Sequence, residues 1–158
     1  MRKSLIVISL CALMISLALA SDDGSWFDMQ NCEMCRPLME TKGLMGHMTW
    51  EHHKVSAGLI SVTNVDADYM DSYKSAQMKM DAVAQRWMKG EPVYLCNMCK
   101  SMGSLLQSGA VMDQVESGNS FIRVMFSSNP EVIGKIHEWA DRTNKEMQAM
   151  AGGESTAH

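Results

Sequence analysis

Two stretches decide how this chain is read: "CEMCRPLMETKG", residues 32–43, and "CNMCKSMGSLLQSG", residues 96–109. Each opens on C-x-M-C followed by a basic residue, Arg36 or Lys100, and the two begin 64 positions apart. Each continues as a short helix candidate that stops near a glycine, Gly43 or Gly109, the residue best suited to end a helix. Two strand candidates follow each helix. In the first half they are His47 to Val55 and Leu59 to Thr63, joined through Ser56-Ala57-Gly58. In the second they are Ala110 to Glu116 and Phe121 to Phe126, joined through the turn-type cluster Ser117-Gly118-Asn119. Their apolar faces are expected at Ile60 and Val62 in one half and at Val124 and Phe126 in the other.

A longer amphipathic helix closes each half. Tyr69, Tyr73, Ala76, Met80, Val83 and Trp87 step by four and three along one stripe. Val132, Ile136, Trp139, Thr143, Met147 and Met150 do nearly the same, after the start signal Asn129-Pro130. The pattern predicts an α+β fold made of a duplicated helix–strand–strand–helix unit. Four strands form one antiparallel sheet packed against helices, and a pseudo-two-fold axis relates the halves. A lone hairpin is marginal in water, so residues 21–150 are expected to fold as a single domain of two repeats, about 27–90 and 91–150. Gly90-Glu91-Pro92 lies between them, and a disordered tail is expected over residues 151–158.

Residues 1–20 read as a secretory signal peptide. Arg2 and Lys3 precede an apolar run from Leu5 to Leu19, and Ala18-Leu19-Ala20 ends in small residues. The protein is therefore expected to be exported, periplasmic or extracellular. Cleavage takes the formal charge from −4 to −6 by removing Arg2 and Lys3. No basic stripe is left to follow a phosphate backbone, which excludes nucleic acid as a partner. No second apolar run is long enough to span a bilayer, so no membrane span is expected after cleavage. A metal ion is the expected partner, with another exported protein as a candidate.

Four cysteines remain after cleavage: Cys32, Cys35, Cys96 and Cys99. Two C-x-x-C pairs supply the four soft ligands that a tetrahedral ion takes. A pseudo-two-fold axis would bring the pairs together, and this four-thiolate site, holding Zn or Cu(I), is the preferred reading. Methionine is abundant, with 17 in the chain and 15 of them beyond residue 20. Thioethers suit Cu(I) but also fill cores. Most are read as packing, with Met34 and Met98, inside the two motifs, as auxiliary ligands. "LMGHMTWEHHK", residues 44–54, adds a weaker second site of His47, Met48, His52 and His53. As a strand it carries Met48, Trp50 and His52 on one face and His47, Glu51 and His53 on the other.

Two other classes compete. A helix N-terminus and a neighbouring basic residue would activate the first thiol of each motif for thiol–disulfide exchange. "CEMCRP" resembles a thioredoxin-type active site over those residues alone. Eleven residues, 21–31, leave little room for the strand and sheet that precede it there, and no proline stands opposite the motif ahead of a strand. In the third reading, disulfides staple an interaction domain, and a Cys32–Cys96 bridge would stabilise it by about 4 kcal/mol. No nucleophile elbow, phosphate loop or complete calcium loop is present. A non-catalytic role is the expectation, and an enzyme here would be a thiol–disulfide oxidoreductase.

Overall fold

The computed structural model describes residues 25–153, with side chains to residue 150. The expected signal peptide (residues 1–20) and the end of the expected tail (residues 154–158) lie outside the described residues. In chain order the elements are α1 (Arg36–Glu40), a 3-10 turn (Leu44–His47), β1 (Met48–Val55), β2 (Gly58–Val65) and a second 3-10 turn (Ala67–Tyr69). Then come α2 (Met70–Met88), α3 (Asn97–Gln107), β3 (Val111–Ser117), β4 (Ser120–Phe126) and α4 (Pro130–Gly153). The fold is α+β, with an open four-stranded antiparallel sheet and four α-helices among the described residues.

The strands lie in the order β1-β2-β4-β3, so each hairpin contributes one central and one edge strand. β2 and β4 meet antiparallel with Ile60 opposite Val124. They approach closely at Gly58, where an added Cβ would stand 2.0 Å from the Met125 carbonyl oxygen. Only glycine allows that contact.

The helices cover one face of the sheet, and it is not the face expected. Leu59, Ser61, Thr63 and Val65 of β2 and Phe121 and Met125 of β4 are buried. Ile60, Val62 and Val124 point to the opposite face and are only half-buried, and Phe126 is 40% exposed. The sequence "LISV" is apolar at both parities, so alternation does not fix its phase. The helices fix it. α4 lays Val132, Ile136, Trp139 and Ala140 into the same core as Leu59 and Met125. Tyr73 and Ala76 of α2 pack with Leu38, Leu44, Val65 and Phe121 in a second cluster. The hydroxyls of the covered face are spent locally, as at Ser61, whose Oγ lies 2.7 Å from His52 Nδ1.

The predicted helical stripes hold. Val132, Ile136, Trp139 and Thr143 are buried along α4, while Met150, near its end, is 43% exposed. Asn129 starts this helix by accepting the Glu131 N–H on Oδ1 at 2.9 Å, a side-chain cap for an otherwise unpaired amide. α4 crosses β1 and β2, where His137 Nε2 meets the Val55 and Gly58 carbonyls at 3.0 and 2.9 Å. The short helices α1 and α3 lie at the ends of this core, and each begins at a cysteine motif.

Candidate metal centre

The two motifs enter their helices differently. Cys35 immediately precedes α1, which leaves Cys32 in the turn before it. The Cys32 carbonyl accepts the Cys35 and Arg36 amides at 3.1 and 2.8 Å and curls that turn. Cys96 caps α3 in an extended conformation, so Cys99 lies in the first helical turn. Main-chain bonds sew the two segments together: Glu33 N–H to the Tyr94 carbonyl at 2.9 Å and Met98 N–H to the Trp26 carbonyl at 3.0 Å. The Glu33 carboxylate also accepts from the Tyr94 amide at 3.0 Å and from Arg86 Nη1 at 2.9 Å. These donors hold Glu33 below the usual carboxylate range, the Tyr94 amide most of all. Trp139 adds a bond from Nε1 to the Met98 carbonyl at 3.3 Å, which ties α4 to the start of α3.

The result is a four-sulfur cluster. Cys35 Sγ lies 3.5 Å from Cys99 Sγ and 3.8 Å from Cys96 Sγ, and Cys32 and Cys99 are also 3.8 Å apart. All four sulfurs lie within 4.8 Å of one another. A disulfide bond is about 2.05 Å long, whereas the edges of a zinc–thiolate tetrahedron with bonds of about 2.3 Å measure about 3.8 Å. The cluster has the dimensions of a ligand cage. None of the four cysteines is more than 4% exposed, while Arg36 and Lys100 lie on the surface.

Burial and mutual hydrogen bonding split the thiols into two kinds. The neighbouring Cys35 thiol draws Cys32 down to about 7. Cys96 falls well below the ordinary thiol value through its contacts with Cys32, Cys35 and Cys99. Cys35 is pushed far up, first by Cys32 and then by Cys96 and burial against an opposing contact with Cys99, and Cys99 is pushed far up by Cys32, Cys35, Cys96 and burial. A bound cation would replace the thiol protons and compensate the buried charge.

The histidine-rich strand does not assemble a comparable group. His47 is exposed, with Nδ1 2.8 Å from Asp66 Oδ2 and its ring stacked on Tyr69 at 4.1 Å. His53 is on the outer face, 3.1 Å from Glu51 Oε2. Met48 packs beside the second core cluster. His52 points the other way and is only 7% exposed. The edge-type ring contacts of His52 are to Trp50 at 5.0 Å and Trp139 at 5.1 Å. Strand alternation puts positions 52 and 53 on opposite faces, so the structure brings the four cysteines together and keeps these histidines apart. Met98 is buried and Met34 half-buried, and both pack with the cysteines in the main core.

A feature that the spacing of motifs did not reveal adjoins the cluster. A cavity of about 170 Å³ reaches Cys35 and Cys99 and is bordered by His52, Trp87, Arg123 and eight methionines. Its signal was in the sequence, dispersed among elements. Met98 and Met102 are one turn apart on α3, Met80 and Trp87 share a stripe on α2, and Arg123 and Met125 share a face of β4. The chain matches no known family profile, no curated protein and no solved structure.

Proposed function

We propose that this is an exported, non-catalytic metal-binding protein whose Cys32, Cys35, Cys96 and Cys99 hold one tetrahedral ion. The observation that carries the reading is the sulfur spacing of 3.5–3.8 Å, which suits a four-coordinate ion with bonds of about 2.3 Å. That geometry favours zinc; Cu(I) is the alternative on the same sulfurs, since thiolates also suit it. Burial of all four sulfurs argues against thiol–disulfide exchange, which needs an accessible attacking thiolate. The leader at residues 1–20 supports export. The placement of C-x-M-C 64 residues apart and the pairing of Ile60 with Val124 support a duplicated unit about a pseudo-two-fold axis.

The test is elemental mass spectrometry on protein purified from its own compartment without chelators, with thiols counted after denaturation. One zinc per chain with four titratable thiols is the expected result. Absence of metal together with absence of thiols overturns the reading in favour of disulfides. Cu(I) in place of zinc keeps the ligand set and changes the ion. For the repeat, failure of residues 32–65 to superpose on 96–129 in a crystal structure of the metal-loaded protein would refute the duplication.

A further inference from the structure

The four-thiolate cage leaves the adjoining cavity unexplained. Helices and strands together line it. Met80, Trp87 and Met88 come from α2, Met98, Met102 and Gly103 from α3, and Met125 and Arg123 from β4, with His52 and Trp139 at the back. Trp87 rests directly on Gly103, where an added Cβ would lie 2.1 Å from the ring. α2 and α3 therefore touch there, while space remains open beside them.

Two independent observations point to what that space takes. The first is His52. It is 7% exposed, its Nδ1 is engaged with Ser61 Oγ at 2.7 Å, and its Nε2 has no hydrogen-bond partner. A buried ring nitrogen left unpaired is destabilising, and orientation through the other ring nitrogen is how metal-ligating histidines are held. Burial keeps this imidazole neutral by drawing it down to about 4, and the neutral form is the one that ligates. The second is the choice of wall. Eight methionines face one cavity, where leucine would serve an apolar guest as well. Thioether sulfur adds soft ligation, which suits Cu(I).

We propose that the methionine-lined cavity is a second metal site, selective for Cu(I) and held by His52 Nε2 with thioethers of the α2, α3 and β4 walls. It differs from the four-thiolate cage in ligand type and in the ion it takes. Since the cavity reaches Cys35 and Cys99, its occupant lies next to the cage.

The experiment uses the zinc-loaded protein carrying methyl-labelled methionine and labelled histidine, titrated anaerobically with Cu(I) from a chelator buffer. Zinc release is followed in parallel. The signals of Met80, Met102, Met125 and His52 Nε2 are expected to move before one equivalent, with zinc retained. The exposed Met39 and Met78 (44% and 67% exposed) should stay in place. A Met80→Leu/Met102→Leu variant, apolar and close in volume, should bind Cu(I) at least about tenfold more weakly with an unchanged melting temperature. The proposal is overturned if zinc leaves while the cavity signals stay still, or if exposed and cavity methionines respond alike. It is also overturned if an apolar dye fills the cavity and Cu(I) does not. Because zinc and thiols are counted separately, failure of the cage and failure of the cavity give different results. The unsubstituted protein decides the matter even if the double variant does not fold.

Discussion

Replacing Gly103 with alanine sets two physical effects of opposite sign against each other. Gly103 lies inside α3, where alanine is favoured over glycine by about 0.8–1.0 kcal/mol on propensity alone. A sequence argument therefore predicts stabilisation. The structure predicts the reverse. The new Cβ would stand 2.1, 2.7 and 3.0 Å from Cη2, Cζ3 and Cζ2 of Trp87. Ordinary carbon contacts begin at about 3.5 Å, so the ring must retreat by roughly 1.5 Å. Overpacking of this kind costs about 1–3 kcal/mol. Subtracting the propensity gain leaves a destabilisation of about 1 kcal/mol. Urea denaturation of the metal-loaded protein measures it, provided the slope of the transition is unchanged. Trp87→Leu supplies the control, because removing the ring frees the propensity term and Gly103→Ala should then stabilise. The difference between the two backgrounds should reach about 2 kcal/mol as a coupling energy. Equal effects in both backgrounds would refute the claim that Trp87 and Gly103 set the spacing of α2 and α3 beside the cavity.

Truncating Leu59, which is 0% exposed, to alanine should cost about 2–5 kcal/mol. Val115→Lys, at a site 57% exposed on the outer face, should stay within about 0.5 kcal/mol; equal losses in denaturation would contradict the assigned faces. Loss of one ligand in Cys99→Ser should weaken zinc binding by more than the roughly 100-fold typical of losing an outer hydrogen-bond partner, read by competition with a chromogenic chelator. His52 gives a pH dependence. Its ordinary value of 6.5 falls to about 4 on burial, so the unfolded chain takes the proton first as pH drops. Its contribution is complete above pH 6.5 and declines towards pH 4, by up to about 3 kcal/mol. Melting curves of His52→Gln should show a correspondingly flatter slope across that window, and parallel slopes would count against the buried neutral ring.

Much of the candidate site was legible because its signals are local. C-x-M-C puts two thiols within one turn, and its recurrence at Cys96 already paired the motifs before any fold was known. The strands and the stripes of α2 and α4 were legible for the same reason, since apolar spacing is a property of neighbouring residues. The phase of β2 was not. Leu59 and Ile60 are equally suited to a core, and Ser61 and Thr63 made the buried face look like the wet one. His52 and His53 were adjacent letters of one histidine-rich word. The pleat separates them into a buried imidazole and a surface one.

The amino-acid sequence by itself determined the elements, the two dithiol turns and the soft character of the side chains. Tertiary structure decided where they converge. Sulfurs 61–67 residues apart close to 3.5–3.8 Å because Glu33, Tyr94, Trp26 and Met98 lace two distant turns together. The sheet face is chosen by what α2 and α4 lay upon it. Local periodicity carries no information about distances across the fold, and both the cage and the cavity are made of such distances.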